Sequence, residues 1–170
     1  AVNVSQLSSA VAASKTKYYG VNSTGGTNVN GEGVSGADAI ASGKNASASG
    51  DNAVAIGFGA TATNANSVAL GAGSVTSKVN TGTTAMYGAT AAGLGSDTFG
   101  TVSVGTAAAP RQVQNVAAGV IRSGSTAAVN GSQLYSVTVG VNNVGTTAAA
   151  ALGGGSTYNS TTGAISAPTY

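Results

Sequence analysis

The sequence predicts a mainly β fold in which short strands stack as successive coils of a solenoid. A five-residue strand pattern occurs three times at a spacing of 14 residues, as Ala39–Gly43, Ala53–Gly57 and Ser67–Gly71. An Asp or Asn comes directly before each strand, and a glycine ends each one. A fixed short period is typical of repeat proteins, in which each coil buries its apolar atoms against its neighbours rather than in one closed core.

The composition agrees with stacked coils because large apolar side chains are scarce. Val, Ile, Leu and Phe together make up 31 of the 170 residues, whereas alanine alone contributes 33. The formal net charge is only +2, so the high charge that accompanies disorder is missing. We therefore expect the chain to bury small side chains by close stacking and to use further copies of itself.

Alternation within each strand predicts one small and one bulky face. The third residue of every strand is alanine, whereas the second and fourth are mostly large. A narrow β-roll needs the small residues inside, because its two sheets lie close together. The bulky side chains are then exposed and require a partner, which makes them candidates for an interface between copies: Ile40, Val54, Ile56, Val68 and Leu70.

Two further patterns concern the ends of the chain. AVNVSQL at 1–7 returns as AVNGSQL at 128–134, so we interpret the chain as a fragment of an array of modules. From Leu134 onward, apolar residues recur at 137, 141, 144, 148 and 151, the spacing of a coiled coil. The β-branched valines at 137, 139 and 141 also fit a strand, and the pattern leaves both alternatives open.

Residues that carry catalysis or bind cofactors are few. The chain has no histidine or cysteine, and its four carboxylates (Glu32, Asp38, Asp51 and Asp97) are interpreted as solvated turn residues. Gly57 begins a match to a dinucleotide fingerprint, but it is in phase with the repeat and lacks the helix and acid that the motif requires. Six scattered cations form no basic face for nucleic acid. We predict no enzyme activity, cofactor, metal site or nucleic acid partner.

The 14-residue repeats, followed along the chain by a second motif, resemble the trimeric autotransporter adhesins of Gram-negative bacteria. The 14-residue repeats are similar to the YadA-like head, and RQVQNVAAG (111–119) with AVNGSQL (128–134) is similar to the neck between head and stalk. The resemblance implies a trimeric left-handed parallel β-roll with neck and short coiled-coil stalk segments, and it makes the bulky residues the trimer core. It assigns these residues to the neck: Arg111, Gln112, Asn115, Val116, Asn130, Gln133 and Leu134. Arg111 is expected to clamp the chains there rather than to bind a host carboxylate.

The resemblance also divides the chain into six segments. They are the end of a preceding neck with a short helix (1–17), a connector (18–37), the head repeats (38–105), the neck (106–134), the stalk coiled coil (135–152) and the start of the next connector (153–170).

The implied function is attachment of a homotrimer to host cells or to extracellular matrix proteins such as collagen, fibronectin or laminin. The implied location is the bacterial surface, with an outer-membrane anchor domain that this chain does not include. One alternative is an internal spacer of the same adhesin without its own ligand. Another is a polysaccharide-acting β-solenoid such as a tailspike, which needs a carboxylate or Arg/Lys cluster in a groove.

Overall fold

The computed structural model describes residues 2–14, 20, 22–79, 95, 96 and 98–170. These residues form two compact units. The first unit contains the described residues up to 79 and those of 95–111, and the second contains 112–170. The boundary follows Arg111 and therefore falls inside the segment that is predicted as the neck.

The first unit begins with helix α1 (Val4–Ser14) and contains two parallel sheets. One sheet has the strand order β1 (Ile40–Ser42), β3 (Val54–Ile56), β5 (Val68–Leu70) and β6 (Val102–Ser103), and the other pairs β2 (Ser47–Ala48) with β4 (Thr61–Ala62). Ile40 lies beside Val54, which lies beside Val68, so the pairing follows the 14-residue period. The chain thus passes from one sheet to the other and back once in every repeat.

Alanine fills the space between the two sheets. The alanines between the sheets are 0–1% exposed: Ala46, Ala48, Ala53, Ala55, Ala60, Ala62 and Ala69. Ala55 and Ala69 are the third residues of their strands, and they point inward as the alternation predicts. The equivalent Ala41, in the first coil, is half-buried. Because alanine ends at Cβ, the two sheets approach each other more closely than larger side chains would allow.

Two sharp bends in each coil explain the residues that flank the strands. Asp38, Asn52 and Asn66 have φ values of 55°, 56° and 57°, in the left-handed region where Asp and Asn are tolerated best after glycine. Gly57 has a φ of 128°, and a Cβ there would lie 2.6 Å from the carbonyl carbon of Gly71 in the next coil. The glycine is therefore required by its backbone conformation and by the close approach of the next coil.

The fourth strand of the larger sheet comes later in the sequence than the 14-residue period would place it. Val102 of β6 pairs with Val68 of β5, which is 34 residues earlier instead of 14. Two hydrogen bonds attach the returning chain: Asn66 Nδ2 donates to Thr98 O (2.8 Å), and Thr101 N donates to Ser67 Oγ (3.0 Å). Residues 80–94 and Asp97, one of the four carboxylates, lie outside the described residues.

The second unit consists of helix α2 (Gly131–Leu152) and a hairpin of β7 (Tyr158–Asn159) and β8 (Ala164–Ile165). Segment 134–151, for which the sequence allowed a helix or a strand, is helical. The hairpin packs on the helix through Tyr158, whose hydroxyl donates to Asn142 Oδ1 at 3.1 Å. Gly145 leaves room for the Tyr158 ring, because a Cβ at this position would lie 2.4 Å from Cε2 of the ring.

Candidate assembly surfaces and neck

The outer face of the four-stranded sheet carries two rows of side chains, most of them apolar. Strand pairing places Ile40, Val54, Val68 and Val102 in one row and Ser42, Ile56 and Leu70 in the other. Ile40 is 55% exposed, Ile56 42% and Leu70 46%, whereas Val54 and Val68 are half-buried. The structure therefore brings all five predicted interface residues onto one face. The single chain buries alanine and exposes its larger apolar residues, the reverse of the usual preference.

Arg111 lies at the end of the stack, where it is exposed but hydrogen-bonded to the first unit. Its Nη1 donates to Ser74 Oγ (3.0 Å) and to the Val104 carbonyl, and its Nη2 donates to the Ala72 carbonyl. All three acceptors are neutral, so hydrogen bonds rather than an ion pair hold the guanidinium. Its planar fork reaches acceptors on two segments of the same chain. The clamp between chains stays a prediction.

Three buried hydroxyl groups lie at the same end of the stack, and sequence reasoning did not identify the contacts that they make. Ser67, Ser74 and Thr76 are 0–4% exposed at repeat positions where earlier coils have alanine. Ser74 Oγ accepts from Arg111 and donates to Leu70 O at 2.8 Å, and Thr76 Oγ1 donates to Asn64 Oδ1 at 3.0 Å. The change from Ala to Ser or Thr at a fixed repeat position is a sequence signal for the last regular coil.

In the second unit, two carboxamides connect the neck to the start of α2. Asn130 Nδ2 donates to Val116 O at 3.1 Å, and Gln133 Nε2 donates to Gly119 O at 2.6 Å. Gly119 N donates back to Gln133 Oε1 at 3.0 Å. Asn115, just before this segment, has a φ of 60° and makes the bend. Sequence comparison marked these residues as neck, but the pairing across 14 residues emerges only from the structure.

The same carboxamides also form the capping box of α2. Gln133 N donates to Asn130 Oδ1, and Asn130 N donates to Gln133 Oε1, both at 3.2 Å. Both side-chain nitrogens thus donate to the neck, and Asn130 Oδ1 caps the helix, whereas Gln133 Oε1 accepts from Asn130 N and from Gly119 N. The other two predicted neck residues of this unit lie apart from this pairing: Gln112 Oε1 accepts from Gln114 Nε2 at 3.4 Å, and the Leu134 side chain is 63% exposed.

Helix α2 presents an apolar stripe to solvent at the 3-4 spacing noted in the sequence. Leu134, Val137, Val141 and Val144 are between 53% and 71% exposed. The hairpin packs on a different set of positions, around Asn142 and Gly145. Among the described residues, no helix is both long and apolar enough to cross a bilayer.

The described carboxylates have local backbone roles or stand in turns. Asp51 Oδ1 accepts from Ala37 N at 2.9 Å, and Asp38 occupies a left-handed turn position. Glu32 Oε2 accepts from Asn30 N at 3.0 Å, and the pKa of Glu32 is lowered chiefly by this bond and then by those from its own backbone and from the Asn30 side chain. No group of three His, Cys, Asp or Glu that could hold a metal ion occurs in the described part of the chain.

A parallel stack of 14-residue coils, followed in the chain by a capped helix, defines a repeat protein of the β-solenoid class. The model of the YadA head domain repeat matches twice, at residues 35–60 and 48–74. The C-terminal YadA-like domain of a protein from Burkholderia pseudomallei is 35% identical, with 96% of this chain and 71% of that chain covered and a TM-score of 0.51. No curated protein matches significantly. The chain belongs to the YadA-like family of trimeric autotransporter adhesins.

Proposed function

We propose that three copies of this chain assemble as a head, neck and stalk segment of a bacterial surface adhesin. The observation that carries the proposal is the reversed burial in the first unit, with alanine inside and Ile, Leu and Val outside. Three copies around one axis would cover both rows, and the stripe on α2 would form a three-stranded coiled coil. The left-handed sense of the β-roll is part of the proposal and rests on the family.

The apolar burial that these rows offer is of the same order as the cost of assembly. A Val, Leu or Ile side chain that is removed fully from water contributes about 1.5–3 kcal/mol. Each chain offers six such residues in the head rows, and four of them are between 42% and 71% exposed. At about half exposure, these side chains contribute on the order of 14–27 kcal/mol when they are summed over three chains. This is comparable with the cost of the two associations that form a trimer, about 8–30 kcal/mol.

We also propose that the trimer attaches the bacterium to host cells or extracellular matrix. Three identical faces would each make the same weak contact with a host surface, and this multivalency gives avidity without a deep pocket. An outer-membrane anchor domain outside these residues would hold the segment at the cell surface. Membership of the adhesin family supports this proposal.

The same proposal makes the segment non-enzymatic. Glu32 and Asp51 are engaged by nearby backbone N–H groups, Asp38 stands in a turn, and Arg111 is engaged by the end of the stack. A polysaccharide-cleaving solenoid needs two carboxylates that face a bound sugar. These local roles favour an adhesin over a tailspike-like enzyme.

Binding of the chain to immobilised collagen, fibronectin and laminin tests the adhesive role. We expect at least one surface to retain the wild-type protein. The double variant V54D/I56D should lose the trimer, because buried charges would meet at the axis, and its avidity should fall by about 100-fold. The matched control T63D/A65D adds the same charges to an exposed turn and should bind like wild type. Failure of the wild type to bind any surface would favour the spacer alternative.

A further inference from the structure

The chain contains two Asn-Gly pairs whose surroundings differ, Asn30-Gly31 and Asn130-Gly131. Asparagine followed by glycine is the pair most prone to spontaneous deamidation, because glycine has no Cβ to obstruct the approach of its nitrogen to the asparagine side chain. Since both pairs share this intrinsic tendency, the folded structure decides which of them reacts.

Deamidation needs only water and a free approach of the two reacting groups. The backbone nitrogen of the glycine loses its proton and attacks Cγ of the asparagine, the Cγ–Nδ2 bond breaks, and the side-chain nitrogen takes up a proton from water and leaves as ammonia. One water molecule then opens the cyclic imide at either carbonyl. The products are aspartate and isoaspartate, in which the backbone runs through Cβ and Cγ. Hydrogen bonds that hold the side chain away from the glycine nitrogen slow the first step.

Asn130 is held by three hydrogen bonds at the start of α2. Its Oδ1 accepts from Gln133 N (3.2 Å) and from Ser132 Oγ (2.8 Å), and its Nδ2 donates to Val116 O (3.1 Å). Ring closure needs the Gly131 nitrogen nearly eclipsed with Cβ of Asn130, whereas the ψ of Asn130 is 168°, an extended value. The helix must therefore open at its first turn before this asparagine can react.

Asn30 lies in an exposed turn, residues 29–32, whose hydrogen bonds are all local. Asn30 N and Nδ2 donate to the carboxylate of Glu32 at 3.0 and 3.2 Å, and Gly31 N donates to Asn28 O at 3.2 Å. Within the described residues, no hydrogen bond reaches Asn30 Oδ1. A Cβ on Gly31 would have no atom within 4 Å, so the space beside the reacting nitrogen is open.

Both ends of this turn are fixed to the first coil. Asn28 Nδ2 donates to Gly43 O at 2.7 Å, and Ala48 N donates to Gly33 O at 2.7 Å. An isoaspartate at position 30 would lengthen the backbone by one carbon between these two fixed points. The modification would therefore alter the junction between the turn and the coil stack.

We propose that Asn30 is the principal site of spontaneous deamidation in the folded protein, and that the cap of α2 protects Asn130. An aspartate at position 30 has no side-chain amide to donate to Glu32, and it places a second carboxylate beside that residue. The formal net charge of the chain falls by one from +2. The surface at the start of the coil stack thus changes with the age of the protein, without an enzyme.

Ageing of the whole chain at neutral pH tests this inference, with the folded chain compared with the chain in concentrated guanidinium chloride. Cleavage after lysine and arginine separates the two sites, since Asn30 lies in peptide 18–44 and Asn130 in peptide 123–170. Mass spectrometry follows the conversion of each peptide with time, and fragmentation identifies the residue. Once unfolded, the two sites should react at similar rates. On folding, we expect Asn30 to keep its rate within about threefold and Asn130 to slow by at least about 30-fold.

The variant N30Q is the matched control, because glutamine would have to form a six-membered ring and deamidates much more slowly. It should remove the fast conversion in peptide 18–44 and leave the rate at Asn130 unchanged. If the fold slows Asn30 as strongly as Asn130, the inference is overturned, and a faster conversion at any other asparagine of the folded chain would overturn it as well. Neither result depends on whether the chain binds matrix proteins.

Discussion

The two units differ in the contacts that stabilise them, although both contain few large apolar residues. The first unit repeats one small contact, the stacking of buried alanines such as Ala55 and Ala69, from coil to coil. The second depends on a few individual side chains, above all Asn130, Gln133 and Tyr158. Repetition distributes stability over equivalent coils, whereas single contacts concentrate it at a few positions. Substitutions should therefore have different consequences in the two units.

The largest effect is expected where one coil meets the next. Gly57→Ala forces an alanine into φ 128° and places its Cβ against the Gly71 backbone, which should destabilise the protein by about 3 kcal/mol or more. Gly59→Ala is the control, because its φ of 62° is strained but its Cβ would meet nothing within 4 Å; its cost should be about 1 kcal/mol. Urea unfolding at one fixed protein concentration measures both, and equal costs would show that the coils do not stack as described.

The next largest effect is a difference in stability between alanine substitutions at two glycines of helix α2. Gly145→Ala displaces the Tyr158 ring and breaks its hydrogen bond to Asn142, with a net loss of about 2 kcal/mol. Gly140→Ala meets nothing within 4 Å and should stabilise α2 by about 1 kcal/mol, because alanine is the better helix former. Opposite shifts in the melting temperature are expected. Shifts of the same sign would mean that the hairpin does not depend on this contact.

A smaller effect is expected at the end of the stack. Arg111→Gln removes the hydrogen bonds to Ser74, Val104 and Ala72 and should cost about 1–2 kcal/mol, because the guanidinium is partly open to solvent. Amides of β6 should exchange faster in this variant than those of β1. Arg122→Gln, in the exposed loop of the second unit, should change stability by less than about 0.5 kcal/mol. A uniform change over all strands would argue against a clamp confined to the last coil.

The smallest effect concerns the loop that precedes the coils. The pKa of Glu32 should lie below its usual value in an NMR titration, chiefly because the Asn30 backbone N–H donates to the carboxylate. This contribution to stability is present above the unfolded pKa and is lost as the pH falls through the lower folded pKa. In Asn30→Ala the pKa should rise only in part, since the backbone donors remain. A full return to the usual pKa would assign the shift to the Asn30 side chain instead.

Periodicity explains why much of the first unit could be predicted. The strands at 40–42, 54–56 and 68–70, the inward alanines and the left-handed glycines all follow from one 14-residue pattern. The return at Val102 follows no period, since it depends on individual bonds such as Asn66 to Thr98. The clamp of Arg111 between chains stays a prediction, and its acceptor Ser74 in the same chain was not identified. The changes from Ala to Ser or Thr mark the last regular coil, but they do not say which group each hydroxyl binds.

The second unit was less predictable because its contacts have no repeating signature. The apolar spacing from Leu134 allowed a helix or a strand, and the cap at Asn130 now accounts for where the helix begins. The neck residues were identified by resemblance, yet the two hydrogen bonds between Gln133 and Gly119 cross 14 residues and belong to no repeating pattern. Likewise, nothing in the sequence pairs Tyr158 with Gly145. The six segment boundaries and the trimer core remain predictions.

The solution mass of the chain, measured by light scattering after size exclusion, tests the central claim most directly. The exposed rows Ile40 to Val102 and Ser42 to Leu70 require partners, and the account predicts a trimer of 47.7 kDa, three times the 15.9 kDa chain. A stable folded particle of 15.9 kDa at the same concentration would contradict it, since the chain would then tolerate its bulky face in water.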